Sequence, residues 1–234
     1  KEVFSPEEIR QGPSAGRTPQ ERQRLARLSE LHQGIPGAFS RIGYPEKKTI
    51  YPPLAELLFS IPDFLRPGSL PLLKLLIVGL DLAVIGMIAA ILSFLGRSRL
   101  WALVYAWSPL VVTQFAGAGH LDPLAILCVL GGLYAALRVR PALAGIWLGL
   151  GIAAKIYPGF LIPLLWRRLR GFGVFVALGL ALLFFIPFWE IGVGRMFEGL
   201  SVFNRLWKMN DSVFDVVFYA CRWAMPGIGM ESLF

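Results

Sequence analysis

The segment 117–123 places an imidazole, His120, and a carboxylate, Asp122, almost side by side at the start of an apolar run. Two interpretations of this pair are open. Asp122 could cap the helix that follows, because Asp is a favoured N-cap residue, while His120 hydrogen-bonds at the membrane interface. The pair could instead face a wet cavity, contact a polar substrate and assist proton transfer.

The segment 155–158, Lys-Ile-Tyr-Pro, is the second group with chemical potential. A lysine at the end of a membrane helix commonly extends to the interface, which would make Lys155 an anchor. Its ammonium has three donors, and beside the hydroxyl of Tyr157 it would also suit a phosphate at the depth of lipid headgroups. The sequence leaves both interpretations open.

Tyr51 and Asn210 are further candidates for contact with a substrate. Tyr51 stands before Pro52 and Pro53 and belongs either to an aromatic belt or to the lining of a cavity. Asn210, followed by Asp211 and Ser212, offers an amide, a carboxylate and a hydroxyl, a mixture that suits sugar hydroxyls as well as an ordinary loop.

One carboxylate, Asp81, lies near the middle of the apolar run 70–95. An uncompensated charge there costs at least about 2.5 to 3.5 kcal/mol. We therefore expect Asp81 to face the interior of the protein and to be paired or protonated, as part of a structural pair or of a proton relay.

The composition predicts that lipid surrounds the elements carrying these residues. The 234 residues are 56% hydrophobic and 16% charged, and the mean hydropathy is +0.61. The net charge of +8 comes from short clusters between apolar runs, a pattern that orients membrane proteins and argues against nucleic-acid binding. The two cysteines do not have the spacing of metal ligands, and neither does any pair of acidic residues. We therefore expect no metal site.

From residue 51 onward, the chain is a succession of apolar runs. Some are long enough for a helix that spans the membrane, and others have the length of a re-entrant helix. The run 51–64 is about half the length of a span, 101–115 is interrupted at Ser108-Pro109, and Tyr157-Pro158 favours a bend. The runs are 51–64, 70–95, 101–115, 121–137, 141–156, 157–166, 172–189 and one that begins near 213. They predict an all-α polytopic bundle.

Arginines in alternate connections predict the orientation of this bundle, because basic loops remain in the cytoplasm. The basic connections contain Arg97 and Arg99, then Arg138 and Arg140, then Arg167, Arg168 and Arg170. This assignment sends His120, Lys155 and Tyr51 to the outer side. It also requires 141–156 and 157–166 to form a hairpin.

The predicted organisation has four parts. Residues 1–50 form an extracytoplasmic loop with an amphipathic helix, which begins at the capping box Thr18-Pro19-Gln20-Glu21 and ends at Gly34. Residues 51–190 form the transmembrane bundle, 191–212 an outer loop with an interfacial helix at 196–208, and 213–234 the start of a further membrane segment. We expect both ends of the chain to be cut.

Several motifs, taken in order, resemble the C-type-fold (GT-C) membrane glycosyltransferases, in particular glycosyltransferase family 87 and its polyprenol-phosphate-mannose-dependent relatives. The resemblance covers about residues 44–212. The motifs are Thr49-Ile50-Tyr51-Pro52-Pro53-Leu54, Tyr105-Ala106-Trp107-Ser108-Pro109-Leu110, Gly119-His120-Leu121-Asp122, Ala154-Lys155-Ile156-Tyr157-Pro158 and Trp207-Lys208-Met209-Asn210.

The resemblance implies inverting transfer of a hexose, most often mannose, from a polyprenyl-phosphate donor to a lipid or glycan acceptor outside a bacterial cytoplasmic membrane. It implies no other cofactor. Its general base would be an Asp in the first outer loop, which matches no residue here and is expected upstream of Lys1. Lys155 and Tyr157 would lie beside the carrier phosphate, His120 and Asp122 near the sugar or leaving group, and Tyr51 and Asn210 along the cavity.

Two other classes of function stay open at the level of sequence. A transporter or flippase for a lipid-linked glycan would also use broken helices, an intramembrane Asp81 and an outer cationic site. A structural membrane subunit without activity would lack a base, as this chain does.

Overall fold

The computed structural model describes residues 18–34 and 51–187, together with the helical positions Val216, Tyr219, Ala220 and Trp223. The chain divides into two compact units. The smaller unit contains helix α1, and the larger contains all other helices discussed below. Throughout these described ranges the regular structure is helical, as predicted.

Helix α1 (Pro19–Gly34) begins at the capping box that the sequence predicts. The backbone N–H of Glu21 donates to the Thr18 hydroxyl at 3.3 Å, and the N–H of Thr18 donates to the Glu21 carboxylate at 2.8 Å. These reciprocal bonds satisfy backbone donors that a helix start leaves without partners. Leu25 is fully buried.

The larger unit begins with a short helix and continues through long, bent and short apolar helices. Prolines at or next to the first position start most of them, because proline fixes a helical φ and lacks an N–H that would be unsatisfied there. The helices are α2 (Pro53–Leu65), α3 (Leu70–Phe94), α4 (Ala102–Ala106), α5 (Pro109–Val111), α6 (Asp122–Leu137), α7 (Pro141–Ala154), α8 (Leu161–Leu164) and α9 (Trp166–Phe185).

Two helices in the described residues, α3 and α9, are long and apolar enough to cross a membrane. A third span is formed if the segments Arg99–Ala106 and Pro109–Gly117 are counted together, with a bend of 54° at the predicted Ser108-Pro109 break. Helices α6 and α7 are apolar but shorter. These elements make the chain an all-α membrane protein.

The hairpin predicted between 141 and 166 is present. Gly145 of α7 packs on Gly173 of α9 and Gly149 packs on Ala177, so residue numbers rise together and the two helices are parallel. The chain must therefore return between them, which it does through a 3₁₀ turn, Tyr157–Phe160, and α8. Near the start of α9, Arg170 has a positive φ of 53°, which separates the basic turn from the apolar span.

The basic connections lie at one end of the unit, named here the arginine end. A guanidinium N–H of Arg99 donates to Ser93 at the end of α3, and the Arg138 guanidinium after α6 lies over the ring of Phe94. Pro141, at the start of α7, contacts Gly173 of α9. The opposite end, named the lysine end, contains Lys74 and Lys155.

Asp81 is paired inside the bundle, as predicted. The hydroxyl of Tyr105 in α4 donates to its carboxylate at 2.8 Å. The two side chains are partly buried, and the bond ties α3 to the first half of the bent span. This contact gives Asp81 a structural partner at the depth where a lone charge is most costly.

Candidate active site

The lysine end is shaped by the abrupt stop of α7. Lys155 follows the last helical residue with extended backbone angles, φ −152° and ψ 144°, while its N–H still donates to the Gly151 carbonyl at 2.8 Å. Pro158 is buried and lies against Gly151, where a Cβ would come within 3.0 Å of the proline ring. Glycine at position 151 thus lets the returning chain fold closely under Lys155.

Lys155 and Asp122 form an ion pair, with 2.5 Å between Nζ and Oδ1. Helices α6 and α7 are antiparallel, so the start of one adjoins the end of the other. A carboxylate at a helix start and an ammonium at a helix end are each favoured by the helix dipole. The two side chains remain 27% and 31% exposed, so a ligand can reach the pair from outside.

The expectation that Asp122 caps α6 is wrong. The helix begins at Asp122 itself, Leu121 occupies the N-cap position, and no side chain caps the helix start. The carboxylate is bonded to Lys155 instead, 33 residues later in the chain. Lys155 in turn is a paired cation rather than an isolated interfacial anchor.

Tyr51 and Tyr157 lie within the electrostatic reach of this pair. Burial raises the pKa of both phenols, and the negative charge of Asp122 raises each pKa further. The ring of Tyr51 is held edge-on against Phe59, with centroids 5.2 Å apart. The structure thus brings Tyr51, Asp122, Lys155 and Tyr157 to one place.

His120 and Asn210 are less well connected to this group. The imidazole of His120 is exposed and makes no hydrogen bond with any described residue, although its backbone N–H donates to the Gln114 carbonyl at 3.1 Å. Its position two residues before Asp122 keeps it at the lysine end. Asn210 lies outside the described residues, as does the predicted interfacial helix 196–208.

Lys74 is a positioning residue that sequence reasoning missed. Its ammonium donates to the backbone carbonyl of Gly117 at 2.7 Å, at the end of the π-helix Val112–Gly117. This bond ties the turn that leads to His120 and Asp122 to helix α3. The only signal in the sequence was a lysine in the first turns of a long apolar helix, which reads as an interfacial anchor.

The group consists of an ammonium paired with a carboxylate, beside two phenol hydroxyls. An ammonium, two protonated phenols and a carboxylate can hold a phosphate and orient polar groups around it. Within the described ranges, no three His, Cys, Asp or Glu side chains come together as metal ligands.

Comparison with known families decides the class of this protein. Residues 49–215 match the family described as Glycosyltransferase family 87. The chain belongs to glycosyltransferase family 87. No curated protein and no solved structure matches it.

Membership of family 87 makes the chain a membrane glycosyltransferase, as its motifs predicted. The matched range contains His120, Asp122, Lys155, Tyr157, Tyr51 and Asn210. It favours the enzyme over the transporter and the inactive subunit, the two alternatives that the sequence left open. A membrane glycosyltransferase of this family needs a sugar donor and an acceptor, and the lysine end is the candidate place for them.

Proposed function

We propose that this enzyme transfers a hexose, namely mannose, from a polyprenyl-phosphate donor to a lipid or glycan acceptor, and that the donor phosphate binds at Lys155. The observation that carries the proposal is the partly exposed Lys155–Asp122 ion pair at the lysine end. A sugar carried on a membrane lipid presents its phosphate at the depth of such a pair.

The ammonium of Lys155 has three donors, and Asp122 accepts one of them. The remaining donors can bind phosphate oxygens. Asp122 holds the flexible lysine in one orientation before the donor arrives, which lowers the conformational entropy lost on binding. The neutral phenols of Tyr51 and Tyr157 add hydroxyl donors without adding negative charge beside the phosphate.

The reaction itself requires positive charge where negative charge develops. The acceptor oxygen attacks the anomeric carbon, the bond from that carbon to the phosphate oxygen breaks, and the phosphate leaves with the electron pair. Lys155 stabilises the negative charge that develops on this leaving group. The acceptor proton passes to a carboxylate base.

The remaining predicted residues receive supporting roles. His120, exposed next to Asp122, is proposed to contact the sugar or the leaving group, and Asn210 to line the cavity. The basic connections at the arginine end support an orientation with that end in the cytoplasm. The site at the lysine end would then face the extracytoplasmic side of a bacterial cytoplasmic membrane.

Transfer assays on the full-length enzyme test this proposal. With a panel of defined polyprenyl-phosphate hexoses, Lys155→Gln should lower kcat/KM by roughly 10²- to 10³-fold, the loss typical of one charge-stabilising donor. Lys155→Arg should retain part of the activity. Mannose is expected to be the best of the sugars.

The control is Arg97→Gln, which removes one exposed positive charge at the arginine end and should leave kcat/KM unchanged. The double variant Lys155→Gln/Asp122→Asn leaves no unpaired charge, so it should fold and still be inactive. Full activity of Lys155→Gln would overturn the role of Lys155. Transfer from nucleotide sugars alone would overturn the lipid-linked donor.

A further inference from the structure

A cavity of about 450 Å³ opens at the arginine end, between α3 and α6. Its volume falls within the range of about 300 to 1,000 Å³ that is usual for small-molecule sites. The wall on α3 is formed by Gly86 and two alanines, and the mouth by polar and aromatic side chains. The mouth residues are Ser93, Phe94, Arg99, Tyr134 and Arg138.

Both arginines at the mouth are held in place by neighbouring groups. A guanidinium N–H of Arg99 donates to the Ser93 hydroxyl at 3.2 Å, and one of Arg138 donates to the Tyr134 hydroxyl at 3.2 Å. The Arg138 guanidinium also lies 5.5 Å from the Phe94 ring centroid and 5.7 Å from that of Tyr134. Each arginine therefore keeps most of its five donors for a ligand.

Among the residues that the structure describes, the positive charge of the cavity has no balancing anion. None of its lining residues is acidic, and no Asp or Glu among the described residues forms an ion pair with Arg99 or Arg138. Two guanidinium groups beside hydrocarbon favour an anion between them, and phosphate is the anion that guanidinium matches with paired hydrogen bonds. The charge of the cavity thus specifies an anionic ligand.

The apolar wall suits a ligand that also has a hydrocarbon part. Gly86 offers a bare backbone surface, since a Cβ built there would meet no atom within 4 Å. Helix α3 is mostly exposed along its span, which lets an acyl chain enter the cavity sideways from the bilayer. A free inorganic anion would use the arginines but leave the apolar wall unfilled.

We propose that this cavity binds an anionic glycerophospholipid of the leaflet at the arginine end. The phosphate lies between Arg99 and Arg138, and an acyl chain runs along the Gly86 surface of α3. Basic pockets between transmembrane helices commonly hold anionic headgroups in this way. The site is distinct from the lysine end and stands whether or not Lys155 binds the sugar donor.

Native mass spectrometry tests whether the arginines at the mouth select an anionic lipid. The full-length enzyme is purified in detergent and incubated with phosphatidylglycerol or phosphatidylcholine. The wild type should retain more phosphatidylglycerol than phosphatidylcholine. Arg99→Gln/Arg138→Gln should lower that retention by roughly tenfold or more. Arg97→Gln removes the same charge from the same turn without lining the cavity, and it should bind as the wild type does.

A matched pair of glycine variants tests the wall. Gly86→Leu fills the cavity and should reduce phosphatidylglycerol retention, whereas Gly79→Leu, two turns earlier on α3 and equally open, should not. Unchanged retention in Arg99→Gln/Arg138→Gln or in Gly86→Leu would overturn the proposal. So would displacement of the lipid by millimolar inorganic phosphate, which would indicate a free-anion site, or a preference for polyprenyl phosphate over phosphatidylglycerol.

Discussion

Lys155 gains its geometry from Asp122, which lies far away in the chain and adjacent in the fold. The sequence could place both residues at the same end of the bundle, because arginine positions fix which connections share a side. It could not show that they pair. The pairing depends on how closely α6 and α7 pack, which is set by glycines such as Gly131 and Gly151.

The two tyrosines report the charge of Asp122 directly. A raised pKa means that the folded protein holds the phenol proton more tightly than the unfolded chain does. Their contribution to stability is therefore complete below the ordinary pKa of 10.0 and is lost as the pH rises through the folded-state value. In Asp122→Asn, both pKa values should fall toward 10.0 without reaching it, because burial is the larger cause.

Ultraviolet titration of tyrosinate measures this effect. The titration curve of Asp122→Asn is compared with that of the same variant carrying Tyr51→Phe and Tyr157→Phe. The difference between the two curves is the ionisation of these two phenols, separated from that of the other tyrosines. The identical comparison in the protein with Asp122 intact provides the reference. If the two phenols ionise at the same pH with and without the Asp122 charge, they do not share a site with it.

At the scale of helices, the sequence was informative wherever the cause is local. The capping box at Thr18, the break at Ser108-Pro109 and the short helix after Pro53 each depend on a few neighbouring residues, and each is present. The packing faces were harder to predict, since α7 is apolar on all sides. Only the structure shows that its glycines let α9 approach.

Substitution of one glycine in α7 and of one in α9 should therefore affect stability differently. A Cβ at Gly149 would lie 2.7 Å from the Ala177 carbonyl oxygen, so Gly149→Val should force the helices apart and cost about 1 to 3 kcal/mol of stability. A Cβ at Gly179 on α9 would meet no atom within 4 Å, so Gly179→Val should be close to neutral.

Thermal unfolding of the two glycine variants in the same detergent compares them directly. Valine has a higher helix propensity than glycine at either position, and this gain is common to both variants, so the difference between them isolates the packing term. Equal midpoints for Gly149→Val and Gly179→Val would contradict the close parallel packing of α7 on α9, and with it the hairpin that carries Lys155.

At the scale of the whole bundle, the two ends have different chemistry. The lysine end has a partly exposed ion pair with tyrosines, and the arginine end has a cavity with two arginines that pair with no carboxylate in the described part of the chain. The sequence predicted this division from the arginines alone, but it treated them only as orientation signals. The cavity was missed because Phe94, Arg99 and Tyr134 meet only when α3 and α6 pack in parallel.

Sidedness is the claim on which both proposed sites depend, and cysteine labelling in intact cells measures it. In a background with Cys128→Ala and Cys221→Ser, single cysteines at the exposed positions His120, Ile156, Ser98 and Val139 are treated with a membrane-impermeant maleimide. We predict that His120→Cys and Ile156→Cys react in intact cells, whereas Ser98→Cys and Val139→Cys react only after permeabilisation. Labelling of His120→Cys and Ile156→Cys from opposite compartments would contradict the account.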